Sequence, residues 1–253
     1  MFNIEREDKI IEILKEKNSI SVNDLAKILF TSTSTIRRDL TNLENKGLVV
    51  RTFGGVYLTK NRFNKETPFK YREEINITQK RKMCLHCLPF IKDNMSLFID
   101  SSTTTLQIVN YLNNFKDLTI ITNGLEITNL ILKNTKHQVI LLGGFIQNNS
   151  NSLLGSLTTN NLSSLHADIS IMSSTGIDST FGLSESTLDQ AEIKKLMNLN
   201  SDMCIYLIDN TKFDKKGIIT SSPIKDVDIL ITNKKPNEIY INLFKSNNIK
   251  LIY

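Results

Sequence analysis

The sequence predicts two modules of different fold class: an α+β winged helix-turn-helix over residues 1–58 and an α/β, Rossmann-like domain over residues 77–253. The first module shows three helical patterns and then two short apolar runs around a pair of glycines, which is typical of a small helical domain with a β-hairpin. The second alternates short β-branched runs with helical stretches, which indicates a mostly parallel sheet covered by helices.

The charge of the chain is unevenly distributed. The 253 residues are 40% hydrophobic and 23% charged, with a formal net charge of +5. Residues 1–59 contribute +1, residues 60–82 contribute +5, and residues 83–253 contribute −1. A basic first third on a near-neutral remainder indicates a polyanion-binding end, although a solvated charged face would give the same count.

Two features bear on location. No run approaches the roughly 18 apolar residues of a membrane helix, and the mixed-charge N-terminus lacks the apolar segment of a secretory signal. The three cysteines, an odd number, provide no disulfide framework. We therefore expect a cytoplasmic protein that does not associate with a membrane.

The first module is predicted to contain three helices and a hairpin. Residues 5–17 place apolar side chains on one side and alternating charges elsewhere. Ser21 begins a capping-box-like sequence that starts a short second helix. The third helix is predicted over residues 33–46, with Gly47 as its C-terminal glycine. The apolar runs on either side of Gly54-Gly55 predict the hairpin.

The third helix has a polar face suited to DNA. At 100° per residue, Ile36, Leu40 and Leu43 form one stripe, while Arg38 lies opposite it with Arg37 beside it. Guanidinium and hydroxyl groups near a helix N-terminus read base edges and bind phosphates in the major groove. The sequence therefore predicts double-stranded operator DNA as a partner. The candidate DNA-binding residues are Ser32, Thr33, Ser34, Thr35, Arg37, Arg38, Thr41, Arg51, Gly54 and Gly55.

Residues 59–76 are predicted to form a linker. They are rich in Lys, Asn and Glu, contain Pro68 and show little helical periodicity. Their positive charge fits contact with the DNA backbone or a solvated connector, and we favour the connector.

The second module is predicted to contain seven strands and five helices. The strands are residues 97–100, 118–122, 138–142, 168–173, 203–208, 228–232 and 249–252. The helices are residues 78–91, 104–113, 125–133, 153–165 and 187–200.

Polar residues follow the first three of these strands. Asp100 begins a run of hydroxyl residues that leads into a helix, an arrangement that forms a phosphate cradle. Asn123 follows the second strand, and Gly143-Gly144 follow the third, where absent side chains let a ligand approach. Because ligands of open α/β sheets bind at the carboxyl ends of strands, we predict a small phosphorylated ligand here. The candidate effector-binding residues are Asp100, Ser101, Ser102, Thr103, Thr104, Thr105, Asn123, Gly143, Gly144, Glu185 and Lys212.

Later segments supply further charged candidates for the same pocket. Lys212 follows the fifth strand, where its ammonium group would pair with a phosphate or a sugar oxygen, and a surface salt bridge is the alternative. The other candidates in these segments are Asp178, Gly182, Glu192, Lys194 and Asp209.

No cofactor or metal site is predicted. Cys84 and Cys87 have the C-x-x-C spacing, but the chain has no second pair to complete a tetrahedral zinc site. His137 and His166 have no recognisable Ser or Asp partner for a catalytic triad.

These motifs together resemble the DeoR family of bacterial repressors. In the first module the resemblance lies in Ser-Thr-Ser-Thr-Ile-Arg-Arg-Asp-Leu at residues 32–40, and in Leu43-Glu44, Gly47-Leu48, Arg51 and Gly54-Gly55. In the second module, which resembles that family's sensor domain, it lies in residues 100–105, Thr122-Asn123, Leu142-Gly143-Gly144, Gly155, Gly176-Ile177 and residues 209–213.

The resemblance covers nearly the whole chain. It implies a transcriptional regulator, usually a repressor of sugar-utilisation genes induced by a sugar phosphate, whose sensor fold is similar to ribose-5-phosphate isomerase. The chain departs from the family at Thr175, where many members carry Asp. The departure argues against retained isomerase chemistry and leaves the contacts of this loop open.

Two other functions stay open at this point. A sugar-phosphate isomerase-like enzyme would need a general base, and Asp100, Asp178 or Glu185 could serve, although no paired acid–base constellation is evident. An architectural DNA binder would need no strand-end pocket. Because a single winged helix buries little surface, we also expect a homo-oligomer, a dimer or tetramer, that presents two heads to a repeated site.

Overall fold

A computed structural model describes residues 3–17, 19–46, 48–52, 55–58 and 69–253. The chain divides into two compact units, Met1–Tyr71 and Arg72–Tyr253, which we call the head and the sensor. Three predicted features lie outside the described residues: the helix-ending Gly47, the hairpin residue Gly54, and residues 59–68 of the linker. The predicted boundaries at residues 58 and 77 stay a prediction.

The head contains the three predicted helices and the hairpin. Two hydroxyl caps start the second and third helices: Ser21 Oγ accepts from the Asp24 N–H at 3.1 Å, and Ser32 Oγ from the Thr35 N–H at 3.2 Å. A short strand that the sequence analysis did not predict pairs with the hairpin, in the order β1-β3-β2 with all neighbours antiparallel. The elements are α1 (Asn3–Lys17), β1 (Ser19–Ile20), α2 (Val22–Ile28), α3 (Thr33–Asn45), β2 (Val49–Thr52) and β3 (Gly55–Leu58).

The core of the head forms where the helical angles place it. Ile36, Leu40 and Leu43 of α3 are fully buried, as the sequence predicts. They pack with Ile10 and Leu14 of α1 in one apolar cluster.

Two buried ion pairs also join α1 to α3. Arg6 donates to Asp39 through Nε at 2.5 Å and Nη2 at 3.0 Å. Glu7 accepts from Lys46 Nζ at 2.9 Å and from Asn42 Nδ2 at 3.3 Å. The residue pattern of α1 predicts that its charges lie away from the apolar side. This is wrong for Arg6 and Glu7, which are buried.

The sensor is built on a seven-stranded parallel sheet, and its strands correspond to the seven predicted apolar runs. Across the sheet the strands are, in order, residues 250–252, 229–231, 201–207, 167–172, 96–99, 119–122 and 138–141, and every neighbouring pair is parallel. Helices link most of these strands, as expected for parallel pairing. Helix α4 (Phe69–Glu74) includes the boundary between the two units at residues 71 and 72. The sensor elements up to β6 are α5 (Ile77–Cys87), β4 (Ser96–Ile99), a 3-10 helix (Thr105–Asn114), β5 (Thr119–Thr122), α6 (Leu125–Asn134) and β6 (Gln138–Leu141).

The later elements include two small antiparallel sheets that the sequence analysis did not predict, β7-β8 and β10-β11-β13. The elements are β7 (Phe145–Gln147), β8 (Ser152–Leu154), α7 (Ser156–Ser163), β9 (Ala167–Met172), β10 (Gly176–Asp178), β11 (Gly182–Glu185), α8 (Leu188–Leu199), β12 (Ser201–Leu207), β13 (Ile219–Ser222), β14 (Ile229–Ile231), α9 (Glu238–Ser246) and β15 (Lys250–Ile252).

One local prediction is wrong at its start, one helix is of the 3-10 type, and two helices were not predicted. The helix predicted over residues 153–165 begins only at Ser156, because Gly155 adopts φ +94° and residues 152–154 pair with β7. The helix predicted over residues 104–113 is present as a 3-10 helix, Thr105–Asn114. The predicted linker contains the helix Phe69–Glu74, and helix α9 was not predicted at all.

No helix within the described ranges combines the length and the hydropathy needed to span a bilayer.

Candidate functional site

The outward face of α3 carries the predicted polar groups. Ser34, Arg37, Arg38 and Thr41 are exposed, on the side away from the buried stripe. Around the helix start, Ser32 Oγ lies 2.8 Å from the hydroxyls of both Ser34 and Thr35. Thr33, the first residue of the helix, is partly exposed. Two guanidiniums and a group of hydroxyls therefore face solvent near the positive end of the helix.

The hairpin is attached to this face by side chains. Arg51 Nη1 donates to Thr41 Oγ1 at 3.1 Å, and Thr41 Oγ1 donates to the Arg37 carbonyl at 2.8 Å. The Arg51 guanidinium also lies 3.9 Å from Glu44. A Cβ on Gly55, which has φ +150°, would lie 2.8 Å from the Ile20 carbonyl oxygen, so this position requires glycine. These contacts fix the hairpin beside α3.

In the sensor, the end of β4 is organised around the buried carboxylate of Asp100. Its Oδ1 accepts from Ser102 Oγ at 2.8 Å and from Thr105 Oγ1 at 2.7 Å. Its Oδ2 accepts from the Ser173 N–H at 3.1 Å and lies 3.1 Å from Lys194 Nζ. Asp100 and Thr105 are thus bound to the protein itself and shape the loop, instead of offering free groups to a ligand.

The loop after Asp100 still leaves donors available. Within the described part of the chain, the backbone N–H groups of Ser101, Thr103 and Thr104 have no hydrogen-bond acceptor. They lie at or just before the start of the 3-10 helix, where backbone N–H groups bind anions. This loop therefore retains the donor set of a phosphate cradle.

Lys80 of α5, which the sequence analysis missed, reaches the same loop. Its side chain is 5% exposed, and Nζ donates to Thr103 Oγ1 at 3.0 Å and to the Arg72 carbonyl. Burial and the neighbouring charge of Lys212 lower the pKa of Lys80 to about 8. Within the described residues, no carboxylate lies within ion-pair distance of its ammonium group.

A signal in the sequence could have identified Lys80. The buried positions of α5 are Lys80, Met83, Cys84 and Cys87, which follow the i, i+3, i+4, i+7 spacing of an apolar stripe. A lysine in such a stripe is buried, and a buried ammonium needs a partner.

Two further lysines meet at Ser173, at the end of β9. Lys212 Nζ donates to Ser173 Oγ at 2.8 Å, and Lys194 Nζ donates to the Ser173 carbonyl at 2.6 Å. Burial lowers the pKa of Lys212, and the charge of Lys194 adds to this effect. The predicted alternative of a surface salt bridge for Lys212 is not found among the described residues.

Lys194 is neutralised by carboxylates, unlike Lys80 and Lys212. Its Nζ lies 2.7 Å from Glu185 Oε1 and 3.1 Å from Asp100 Oδ2. Burial alone would lower the pKa of Lys194, but these two carboxylates outweigh it and raise the pKa. The other Glu185 oxygen accepts from the Thr175 hydroxyl at 3.0 Å. Thr175 therefore donates to a carboxylate at the position where the family often places Asp.

The structure changes the interpretation of the next two strand ends. Asn123 is fully buried, and its Oδ1 has no hydrogen-bond partner among the described residues, while Nδ2 donates to the Leu153 carbonyl at 3.2 Å. At Gly144, however, a Cβ would lie 2.1 Å from Thr158 Oγ1. The space at Gly144 is therefore filled by the protein, and ligand approach is the wrong reason for this glycine. Thr158 also donates to the Gly143 carbonyl at 2.7 Å.

The remaining candidates lie apart from this cluster or have structural partners. Asp178 binds the turn between β10 and β11 through Thr180 and Phe181, which holds its pKa well below the usual range. Gly182, with φ +80°, allows the close approach of β11 to the Ser222 carbonyl. Glu192 is exposed on α8, and Asp209 Oδ1 accepts from the Thr211 N–H at 3.0 Å.

The cysteines and histidines form no catalytic or metal-binding cluster in the described structure, although His166 Nε2 lies 3.4 Å from Asp202 Oδ1 at the surface, an acidic partner that was not predicted. Burial raises the pKa of the Cys84 and Cys87 thiols, that of Cys87 to about 12, so both stay protonated. His137 is bound on both ring nitrogens by backbone groups of Leu112 and Leu118. No group of three potential metal ligands occurs in the part of the chain that the structure describes.

Both parts of the chain match family models. Residues 6–62 match the DeoR-like helix-turn-helix domain, and residues 75–234 match the DeoR C terminal sensor domain. The HTH-type transcriptional regulator GolR of Listeria innocua is 35% identical over 248 residues, which cover 97% of this chain and 96% of GolR. The glycerol-3-phosphate regulon repressor of Escherichia coli is 28% identical over 251 residues, 99% of each protein.

Among solved structures, ribose 5-phosphate isomerase A from Methanocaldococcus jannaschii aligns with a TM-score of 0.40 and 15% identity over 55% of each chain. The full-length sorbitol operon regulator SorC from Klebsiella pneumoniae aligns with a TM-score of 0.42 and 13% identity, covering 96% of this chain and 99% of SorC.

Proposed function

The chain belongs to the DeoR family of DNA-binding transcriptional repressors, and we propose that it represses a sugar-utilisation operon and leaves its operator when a phosphorylated sugar binds the sensor. The main support for a phosphorylated effector is the pair Lys80 and Lys212, whose ammonium groups have no ion-paired carboxylate among the described residues. They lie beside the loop whose backbone N–H groups have no acceptor in the described structure. A phosphate dianion supplies the negative charge that these donors lack.

The proposed effector has a polar part beside its phosphate. The unpartnered Asn123 Oδ1 would accept a hydrogen bond from a sugar hydroxyl, and leaving this acceptor unpaired costs about 1–3 kcal/mol. One relative is named for the glycerol-3-phosphate regulon, and glycerol 3-phosphate combines a phosphate with hydroxyl groups. A phosphorylated sugar or polyol fits both features.

The same geometry supports sensing over catalysis. Proton abstraction needs a carboxylate that is free to accept a proton. Asp100 and Glu185 both share Lys194, and their remaining oxygens accept from hydroxyl or backbone donors. We therefore propose that this chain binds a sugar phosphate without converting it, and incubation with pentose and hexose phosphates followed by product analysis tests this.

Operator binding is assigned to the outward face of α3 with the hairpin beside it. We propose that Arg38 reads a base edge, since it lies opposite the core stripe, and that Arg37 beside it holds a phosphate. Because a repeated operator requires two heads, we propose a functional unit of at least two copies. We also propose a cytoplasmic location, where operator DNA is found. The effector would act by changing how the two heads are presented, with a coupling of about 1–3 kcal/mol.

A binding assay on the full chain tests the function. The probe is a fluorescent duplex selected in vitro from a random pool, titrated at one fixed salt concentration because phosphate contacts make the affinity salt-dependent. We expect sugar phosphates, but not the matched unphosphorylated sugars, to raise the melting temperature and to weaken duplex binding about 5–150-fold. An unphosphorylated sugar that binds as tightly as its phosphate would contradict the proposed cradle.

Arg38→Ala tests the DNA contact. It should cost about 1–3 kcal/mol of duplex affinity and relax specificity at one base position. Lys245→Ala removes an exposed cation from α9 of the sensor and serves as the control. If the wild type and Arg38→Ala bind the duplex with equal affinity and specificity, Arg38 does not contact the DNA.

A further inference from the structure

One stretch of the sensor contains no charge. Residues 138–165 include no Asp, Glu, Lys or Arg over 28 positions, although 23% of the chain is charged and about six would be expected. This stretch spans β6, β7, β8 and α7. A soluble surface of this length normally carries charges that keep copies apart, so their absence calls for an explanation.

The uncharged stretch also exposes large apolar side chains. The exposed fractions are 40% for Ile140, 38% for Leu141, 73% for Phe145, 60% for Ile146 and 57% for Leu157. We call these five residues the apolar face. Together they expose roughly 500 Å², near the upper end of the largest patch of a typical monomer.

The elements that carry the apolar face are adjacent. Three residues, Leu142-Gly143-Gly144, connect β6 to β7. The Phe145 ring lies 3.2 Å from the position of a Cβ on Gly155, the residue before α7. The Thr158 hydroxyl of α7 donates to the Gly143 carbonyl at 2.7 Å, between β6 and β7. The elements that carry the five side chains are therefore neighbours, and consecutive strand residues such as Ile140 and Leu141 present their side chains on the two sides of the sheet edge.

Strand β6 lies at one end of the seven-stranded sheet. Its inner edge pairs with β5, and no strand in the described ranges pairs with its outer edge. Natural proteins protect such an edge with charged residues, proline or a covering element. The sequence of β6, Gln-Val-Ile-Leu, has neither a charge nor a proline. An unprotected strand edge beside an apolar face is typical of a surface that another chain covers.

We propose that the apolar face is the contact between two copies of this chain, related by a twofold axis, with the outer edges of the two β6 strands facing each other. This inference rests on the proposed function only in that the repressor presents two heads. In a twofold interface each residue near the axis approaches its own copy, so any charge there would be repelled by an identical charge. An uncharged face avoids this repulsion, and it offers no electrostatic attraction to DNA or to anionic lipid.

The size of the face fits this occupant. A standard interface buries about 800 Å² on each partner. The five apolar side chains supply more than half of that area, and the exposed or partly exposed polar residues Gln147, Asn148, Asn149 and Asn151 provide an uncharged rim. Phe145 and Ile146, the most exposed members, are the expected anchors.

The test is sedimentation velocity of the full chain across protein concentrations, comparing the wild type with Phe145→Glu/Ile146→Glu. The variant places two carboxylates against their own copies. We expect an assembled wild type and a variant whose assembly falls to half its size or to monomer, with at least a tenfold higher dissociation constant. Ile239→Glu is the matched control, since Ile239 is 64% exposed on α9 beside β15, at the opposite end of the sheet.

Further measurements keep the outcome decisive. Circular dichroism checks that each variant is folded, and Leu157→Glu, on a surface turn of α7, repeats the test outside the β7-β8 hairpin. A monomeric wild type, or a variant that sediments as the wild type does, would overturn the proposal. The stabilisation by sugar phosphates is measured on the same samples. A variant that no longer assembles but still binds sugar phosphate supports the interface. A wild type that assembles but binds no sugar phosphate would refute the proposed function and leave the interface standing.

Discussion

The head and the sensor both bury charged side chains at positions where a helix presents its apolar stripe, but they neutralise these charges differently. In the head, Asp39 lies in the stripe of α3 and pairs with Arg6, while Glu7 of α1 pairs with Lys46. In the sensor, Lys194 of α8 pairs with two carboxylates, but Lys80 of α5 forms no ion pair within the described residues.

We interpret this difference as separating charges with a structural role from those proposed to bind the effector. A buried charge costs several kcal/mol unless a partner compensates it. The head supplies every such partner that the structure describes, so its ion pairs fix α1 against α3. In the sensor, Lys80 and Lys212 have hydroxyl and carbonyl partners but no ion-paired carboxylate among the described residues, and we propose that the phosphate of a ligand compensates them.

The largest effect is expected in the head. In the wild type, the Asp39 carboxylate accepts two hydrogen bonds from Arg6 and raises the pKa of its guanidinium. Asp39→Ala leaves this guanidinium buried without that bidentate partner. The loss should be about 3–5 kcal/mol of unfolding free energy. Denaturant unfolding should show a destabilised head and loss of duplex binding, while sugar phosphates still stabilise the sensor.

The double variant Arg6→Met/Asp39→Leu is the control for this pair. Because both charges are removed, it should recover most of the lost stability. If Asp39→Ala is as stable as the double variant, the ion pair is not structural.

The paired lysine of the sensor should behave as the head does. Lys194→Met leaves Asp100 and Glu185, which are 1% and 3% exposed, without their shared cation. We expect a loss of about 3–5 kcal/mol in the unfolding free energy of the sensor. Lys195→Met, one residue further on the exposed side of α8, should change stability little. Equal stability of the two variants would show that Lys194 does not neutralise these carboxylates.

The unpaired lysine should show the opposite pattern. Lys80→Met removes a buried ammonium that has no ion-paired carboxylate among the described residues, so stability should be unchanged or increased. Affinity for a sugar phosphate should fall at least about tenfold, because a hydrogen bond to a charged group contributes about 1.5–3 kcal/mol. Isothermal titration calorimetry measures the affinity, with Lys82→Met, exposed on the same helix, as the control. A destabilised Lys80→Met with normal affinity would make Lys80 a structural residue.

The same contrast shows what the sequence could reveal. The seven strands of the sheet were predictable because β-branched runs alternate with helical patterns, and the stripe of α3 followed from residue spacing alone. The strand order was not predictable, since it depends on pairing between distant segments. The hairpin β7-β8 was missed because its apolar run at residues 152–154 also fits a helix.

The site residues were predictable only where they follow a strand directly in the sequence. Asp100, Asn123 and Lys212 follow strands directly, so local sequence places them at the sheet's carboxyl edge. Lys80 lies in the helix that precedes β4, far from the strand end in sequence, and was counted only within the basic stretch of residues 60–82. Its position in an apolar stripe was the available signal, and the same signal marks Asp39 and Lys194. Helix α9 also had a readable start, with Asn237 capping it and Tyr240 and Phe244 four residues apart.

The smallest expected effect is a pH dependence that arises from Lys80. Burial and the charge of Lys212 lower its pKa to about 8 in the free protein. A bound phosphate dianion raises this pKa again, because an opposite charge favours the ammonium form. Below about pH 8 Lys80 is protonated in both states, and the affinity does not depend on its titration. Above that pH, binding must take up a proton, so the affinity should fall by up to about tenfold per pH unit.

This pH dependence distinguishes Lys80 from the paired charges. Calorimetry between about pH 7 and about pH 9.5, where the phosphate stays a dianion because its second pKa is about 6, measures the slope directly. Lys80→Arg should flatten the profile, because a guanidinium stays charged throughout this range. Lys212 also has a lowered pKa, so a residual slope in Lys80→Arg would belong to Lys212. A Lys80→Arg profile as steep as that of the wild type would show that Lys80 does not carry the charge that meets the phosphate.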